Sequence, residues 1–243
     1  MSNEIWQLAG LALLPVGGML LGSLAAEWWR LSRNAIGALL HAAAGVASAV
    51  VSVELMPRIL QDIAPWQLAL AFVLGAAASV AMVKGVRRAV HTLELGETGP
   101  WKVYLAVAVD LIGDGLMVGI GSAVAGGLGL MLALSQVIAN IPGGFVALAN
   151  LRDKGVSRPV RLAAAASLSL PVLIGAGLGF WLLRGQQVQL QNAALAFVVG
   201  MLLLATIEDL VPEADAPETR RLVTTAAFAA GFVFFALISL YLG

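Results

Sequence analysis

The sequence predicts an all-α integral membrane protein with eight membrane-spanning helices, because of its composition, its span lengths and its loop charges. Of the 243 residues, 60% are hydrophobic and only 12% are charged, whereas soluble domains are about 45–50% apolar and about 25% charged. Apolar runs of about 18 to 25 residues, enough for one helix to cross the bilayer, recur along the chain. They form one predicted transmembrane domain over residues 1–243, with spans at residues 5–26, 35–56, 65–83, 101–125, 128–150, 160–183, 190–211 and 222–242.

The basic residues of the loops predict the orientation. If the N-terminus is outside, the outer loops hold only Arg58 and Arg184. The inner loops hold the other twelve basic residues, Arg30, Arg33, Lys84, Arg87, Arg88, Lys102, Arg152, Lys154, Arg158, Arg161, Arg220 and Arg221. This asymmetry predicts both termini outside, which we expect to be the periplasm of a bacterial inner membrane. The first span has no basic segment before it and no cleavage site, so we expect it to be retained in the lipid.

An internal repeat is predicted from matching segments at an offset of 155 or 156 residues. The matched pairs are Leu-Pro-Val at 14–16 and 170–172, Glu-Leu-Met-Pro at 54–57 with Asp-Leu-Val-Pro at 209–212, and Gly45 with Gly200. Because the copies are five spans apart, spans 1–3 and 6–8 would form an inverted repeat around a central hairpin of spans 4 and 5. Alternating-access transporters are often built in this way. Chance similarity is the alternative, because Leu, Gly and Pro are common in membrane helices.

Span 4 carries two acidic residues near its middle, Asp110 and Asp114. A charge at the bilayer centre costs at least about 2.5–3.5 kcal/mol, so each carboxylate needs a compensating role. The two share one helix face about 6 Å apart along the axis, and a cation held by both would offset their repulsion. Met117 continues this face with a thioether. The alternatives are that the carboxyl groups are protonated or bonded to neighbouring hydroxyls, and that Met117 only packs.

Span 5 offers amide groups at a similar depth, from Gln136 and Asn140. Pro142 follows them and has no amide hydrogen, so we expect an interrupted helix with a partly freed carbonyl near Ile138. Such a carbonyl is tolerated in the membrane only beside protein or a watery cavity. Together with the carboxylates of span 4, these groups predict an oxygen-rich cation site. Alternatively, Pro142 only kinks the helix and the amides only bond between helices.

Three further polar residues lie in the inner third of their spans. Glu208 and Asp209 on span 7 and His41 on span 2 could form a release path towards the cytoplasm. Side chains so near the interface can also reach water, which is the interpretation favoured for Asp209 and His41. Near the outer end of span 2, Glu54 is expected either to form an exposed ion pair with Arg58, one turn away, or to be a charge at the helix end.

Composition excludes several other kinds of site. The chain has no cysteine and its two histidines, His41 and His91, are far apart, so no thiolate or histidine-cluster metal site is expected. The 14 basic residues balance the 14 acidic ones, so no basic face for nucleic acid is expected. There is no glycine-rich phosphate loop ending in Lys-Ser or Lys-Thr, so ATP use is not expected.

This pattern of eight spans, external termini and a polar central pair resembles the ZIP (Zrt-, Irt-like) metal transporters over essentially the whole chain. In that family span 4 carries His-Asn-x-Pro-Glu-Gly, whose His and Glu ligands fall on Asp110 and Asp114 here. The Ile-Pro-Glu-Gly of span 5 falls on Ile-Pro-Gly-Gly at 141–144. The His-Glu-x-x-Pro-Glu of span 7 is similar to Glu-Asp-Leu-Val-Pro-Glu at 208–213.

Three departures from the family pattern change the expected site. They are Leu111 for the Asn of span 4, Gly143 for the bridging Glu of span 5, and Leu170 for the Glu before Pro of span 6. The resemblance therefore implies one metal site without a bridged second ion. In it, Asp110 and Asp114 replace His and Glu, helped by Asn140 and Gln136. Such oxygen donors suit Mn²⁺, Mg²⁺ or Ca²⁺ better than Zn²⁺.

The sequence thus predicts a permease that moves a divalent cation, such as Zn²⁺, Mn²⁺ or Fe²⁺, through one carboxylate site on spans 4 and 5. The metal is the substrate, and no prosthetic group is expected. The expected partners are membrane lipid and the metal ion, and small residues on many spans permit a homodimer. A proton or organic-cation transporter of the same fold and a non-transporting sensor or assembly subunit are the alternatives. An enzyme is not expected, because neither histidine is placed to serve Asp110 or Asp114.

Overall fold

The computed structural model describes residues 2–92, 99, 101–207 and 221–242. Within these ranges every regular element is helical, and eight helices are long and apolar enough to cross a membrane. They are α1 Ser2–Trp28, α2 Arg33–Ile59, α3 Pro65–Thr92, α4 Trp101–Val124, α5 Gly126–Asp153, α6 Arg158–Leu183, α7 Val188–Ala205 and α8 Arg221–Leu242. The prediction of an all-helical chain with eight membrane-length helices is confirmed over the described residues, and these apolar helices indicate an integral membrane protein. Residues 208–211 of predicted span 7 lie outside the described residues.

Two helices contain irregular turns that the sequence analysis did not predict, and a proline follows each. In α2 the segment Val50–Leu55 is a π-helix, in which the Met56 amide bonds to the carbonyl of Val51. Pro57 has no amide hydrogen to give to the carbonyl four residues earlier, so the regular ladder cannot continue. In α6 the regular helix is interrupted at Leu168, three residues before Pro171, whose ring excludes the carbonyl at position 167.

The central helices α4 and α5 form a tight hairpin. One extended residue, Ala125, separates them, with φ −158° and ψ 135°. The predicted interruption of α5 at Pro142 is wrong, because the helix runs unbroken from Gly126 to Asp153. Pro142 withholds one hydrogen bond from its own helix, and α1 packs along α5 on both sides of this point.

Four pairs of helices pack at glycines with nearly touching backbones. At these glycines an added Cβ would lie only 1.9 to 2.6 Å from a carbonyl oxygen of the facing helix, too close for any side chain. Small residues of this kind allow close packing of membrane helices. The pairs are α1 with α5 at Gly18, Gly22 and Gly144, α4 with α6 at Gly115, Gly119, Gly175 and Gly179, α2 with α8 at Gly45 and Gly231, and α3 with α7 at Gly75 and Gly200.

These pairs divide the eight helices into two groups. The first group, α1, α4, α5 and α6, is tied together by the central hairpin and by ion pairs at both ends of α1. Arg161 of α6 donates two hydrogen bonds of 2.6 Å to Glu27 of α1, and Arg184 donates one of 2.7 Å to Glu4. The second group consists of α2, α3, α7 and α8. Contacts between the groups are fewer, and a large cavity separates them.

Glu54 forms the predicted ion pair with Arg58, but the expectation that it is exposed is wrong. Its carboxylate lies 3.6 Å from the Arg58 guanidinium, and only 4% of its side chain is exposed. The other carboxylate oxygen accepts a hydrogen bond of 2.5 Å from the hydroxyl of Ser239 on α8. The contact was not predictable from local spacing, because the two residues lie at opposite ends of the chain.

Replacing Ser239 with alanine is expected to destabilise the protein by about 1–3 kcal/mol, because a buried acceptor on Glu54 loses its partner. Thermal unfolding of the purified protein in detergent measures this loss. Ser52→Ala is the matched control, because Ser52 is exposed on α2 and bonds only to a carbonyl of its own helix. Equal unfolding temperatures for the two variants would show that the Glu54 contact contributes nothing.

Candidate functional site

A cavity of about 580 Å³ lies between the two groups of helices. Side chains from α1 to α5 and from α7 line it, and most of them are apolar. At one end of the bundle, where α1 and α5 end and α4 and α6 begin, lie Arg30, Lys102, Arg152 and Arg158; we call this the basic end. The cavity runs from the middle of the bundle to this end.

The acidic residues of α4 lie on the wall of this cavity. Asp110, Asp114 and Met117 all line it, as the shared helix face requires. Asp110 is exposed to the cavity, whereas Asp114 is only 6% exposed and Met117 only 2%. The two carboxylates therefore lie at different depths, with Asp114 at the more enclosed position.

The predicted residues of α5 line the same cavity. Gln136 and Asn140 are 3% and 6% exposed, and both face the space beside α4. The side-chain amide of Gln136 lies 3.9 Å from the Met117 sulfur, to which it donates a weak hydrogen bond. All five residues expected to hold a cation are thus brought to one cavity, although they come from two helices.

Two buried polar atoms in this cavity have no hydrogen-bond partner among the described residues. They are Oδ2 of Asp114 and Nδ2 of Asn140. Burying a polar group without a partner costs on the order of 1–3 kcal/mol, and more for a charged group. The Asn140 side chain lies near the Asp114 carboxylate, and a polar or charged ligand beside them would supply the missing interaction to both atoms.

The structure adds residues to the cavity that the sequence analysis did not consider. The most informative is Met201 of α7, whose methyl carbon lies 3.1 Å from the position of a Cβ at Gly113, between the two aspartates. Ser79 of α3 and Thr206 after α7 also line the cavity. No spacing rule within one helix could have found these residues, because they belong to the second group of helices.

The two ends of the cavity differ. Towards the basic end its wall includes Lys102 and Ala106, which are exposed. Towards the opposite end the helices close over a set of fully buried side chains, which we call the apolar seal. Its members, each 0% exposed, are Leu55, Ile59, Leu128, Leu132 and Leu195. Among the described residues, the cavity therefore extends to the basic end, and the apolar seal closes the opposite end.

Of the proposed release path, only His41 lies in the part of the chain that the structure describes. His41 is buried at 8% exposure, so it does not reach water at the interface as expected, because its ring lies within the protein. Its Nδ1 donates a hydrogen bond of 2.9 Å to the carbonyl of Gly37 on its own helix, and its neighbour Leu40 lines the cavity instead. Glu208 and Asp209 lie outside the described residues.

The cavity wall offers electron pairs to a cation from two carboxylates, two amides, four thioethers and three hydroxyls. They belong to Asp110, Asp114, Gln136, Asn140, Met19, Met82, Met117, Met201, Ser79, Ser135 and Thr206. Over the described ranges, no three His, Cys, Asp or Glu side chains are grouped closely enough to hold a metal ion. No protein-family model matches the chain, and no curated protein matches its sequence. The chemistry of this cavity is therefore the basis on which a function is proposed.

Proposed function

We propose that this protein is a membrane permease for a divalent metal cation, similar in plan to the ZIP transporters. The observation that carries the proposal is the buried carboxylate of Asp114, whose Oδ2 has no hydrogen-bond partner among the described residues, in a cavity that opens at one end of the bundle. A buried carboxylate without a counter-charge is unfavourable, and a bound cation would supply that charge. Asp110 would add the second negative charge close by.

The same residues would select and hold the ion as it loses water. Carboxylate and amide oxygens of Asp110, Asp114, Gln136 and Asn140 would replace part of its hydration shell. The energy for movement would come from ion gradients. Uptake of Mn²⁺ into liposomes that contain the purified protein tests the proposal, and absence of saturable uptake of any divalent metal would contradict it.

Orientation follows from the excess of basic residues at one end. The positive-inside rule would place the basic end in the cytoplasm and both termini in the periplasm, in a bacterial inner membrane. The cavity would then face the cytoplasm while the apolar seal closes the periplasmic side. This arrangement is that of an inward-facing transporter.

The glycine contacts support an inverted repeat. In an inverted repeat, α1 would correspond to α6, α2 to α7, α3 to α8 and α4 to α5. When each helix is replaced by its counterpart, every close pair of helices becomes another close pair. Individual contacts follow the same rule at an offset of 155 or 156 residues. Gly45 packs on Phe228 as Gly200 packs on Phe72, and Gly75 packs on Phe197 as Gly231 packs on Ala42. Two similar halves of opposite orientation would allow the seal to form at either end in turn.

The accessible end can be tested with single cysteines, since the chain has none of its own. We expect a cysteine at Ala106 to react with a membrane-impermeant maleimide added at the basic end. A cysteine at Leu132, in the apolar seal, is expected to stay unreactive from both sides. Labelling of the Leu132→Cys variant from the opposite side, with Ala106→Cys unlabelled, would mean that the cavity faces the other way.

A second candidate substrate is an organic cation, which the size of the cavity favours. Its 580 Å³ is several times the volume of a metal ion with six waters, at about 30 Å³ for each water. Apolar walls with a carboxylate at one place would also suit an organic body that carries one positive charge. Uptake of an organic monocation that Mn²⁺ does not inhibit would favour this candidate over the metal.

A further inference from the structure

Two thioethers lie beside the carboxylate pair, and they come from opposite sides of the cavity. Met117 is on α4 in the first group of helices, three residues beyond Asp114. Met201 is on α7 in the second group, and its methyl carbon approaches the backbone at Gly113. Both line the cavity, so an ion held between the two groups of helices could contact a thioether from each group.

The Met117 thioether is held in place by its neighbours. It is almost completely buried, and Gln136 donates a hydrogen bond to its sulfur at 3.9 Å. A side chain used only for packing has no need of an amide donor directed at its sulfur. The contact holds the sulfur beside Gln136, and Met117, Gln136, Asp114 and Asn140 all line the same cavity.

We infer that Met117 and Met201 make this site selective for soft divalent ions, of which Cd²⁺ is a suitable probe, over hard ions of the same charge. The inference rests on the proposed metal transport and concerns the same site. Thioethers are soft ligands that bind hard ions such as Ca²⁺ and Mg²⁺ weakly, whereas carboxylates bind both classes. The carboxylates would therefore provide the negative charge, and the thioethers would favour soft ions over hard ions.

This inference changes the metal preference expected from the sequence. Oxygen donors from α4 and α5 alone favour hard ions, but Met201 adds a soft group from a helix that local spacing does not connect to them. An ion that contacts Met117 and Met201 together would also touch both groups of helices. Selection would then occur at the interface between the groups.

Competition between Cd²⁺ and Ca²⁺ tests the inference, because the two ions have the same charge and nearly the same size. Liposomes with the wild-type protein are expected to take up Cd²⁺ in preference to Ca²⁺. In the variant with Met117→Leu and Met201→Leu, the Cd²⁺ to Ca²⁺ ratio is expected to fall about tenfold, within the range for loss of a group that supports a metal site. Leucine keeps the apolar volume and removes only the sulfur.

Met131→Leu is the matched control, because Met131 is a buried methionine of α5 that is not among the residues lining the cavity. Its Cd²⁺ to Ca²⁺ ratio is expected to equal that of the wild type. Cd²⁺ binding to each purified variant, and to each single substitution, is measured by calorimetry to separate selectivity from transport or folding defects. A ratio and a Cd²⁺ affinity unchanged in the double variant would overturn the inference and leave metal transport standing. Absence of flux and binding for both ions in the wild type would overturn the proposed function itself.

Discussion

Replacing Asp114 with asparagine is expected to reduce Mn²⁺ and Cd²⁺ uptake by at least about 100-fold. Removing one partner of a buried charge pair costs about 3–5 kcal/mol, and each 1.4 kcal/mol is a factor of ten in affinity. Asparagine has nearly the same shape as aspartate, so the helix contacts should be kept. The variant should therefore remain folded in detergent, and initial uptake rates into liposomes measure the loss.

Two further substitutions show whether the effect belongs to the site. Asp110→Asn is expected to reduce uptake less than Asp114→Asn, because Asp110 is exposed and charges in contact with water interact more weakly. Asp62→Asn is the control for a lost carboxylate outside the cavity, in the exposed segment between α2 and α3. Equal effects at Asp62 and Asp114 would show that the loss is not caused by the cavity.

Replacing Gly175 with alanine is expected to lower the unfolding temperature by about 5 °C, as the fold depends on contacts between backbones. An added Cβ there would lie 2.2 Å from the carbonyl oxygen of Ile112, so α6 would have to move away from α4. Such overpacking costs about 1–3 kcal/mol or more, which corresponds to about 2–4 °C for each kcal/mol in a chain of this size. Thermal unfolding in detergent measures the shift.

Gly177→Ala is the control on the same helix. No atom lies within 4 Å of a Cβ at Gly177, which faces away from α4. Alanine is a better helix former than glycine by about 0.5–1 kcal/mol, so this change should raise the unfolding temperature slightly. If Gly175→Ala lowers the unfolding temperature and Gly177→Ala raises it, the loss of stability arises at the α4–α6 contact. Shifts of the unfolding temperature in the same direction would contradict the close packing of these helices.

The number and approximate limits of the helices were predictable, because the length of an apolar run reports directly on whether it can cross a bilayer. The irregular turns were not predicted, although Pro57 and Pro171 are visible in the sequence, since proline kinks some helices and leaves others, such as α5 at Pro142, continuous. The close helix contacts could have been predicted from glycines four residues apart, such as Gly18 with Gly22 and Gly175 with Gly179. This spacing is typical of membrane helices that pack tightly.

The residues of the candidate site were predictable where they share a helix face. Asp110, Asp114 and Met117 line one cavity because residues three and four apart project together. Met201 was missed because its position beside Gly113 depends on how α7 packs against α4, which no local pattern encodes. Glu54 was misjudged for the same reason, since its burial depends on α8.

The most direct test of the account is the number of divalent ions that the purified protein binds. Calorimetric titration with Cd²⁺ is expected to show saturable binding of one ion for each wild-type chain and no saturable binding by the Asp114→Asn variant. Binding that is unchanged in this variant, or no binding of any divalent metal by the wild type, would contradict the claim that Asp114 forms a cation site in the membrane.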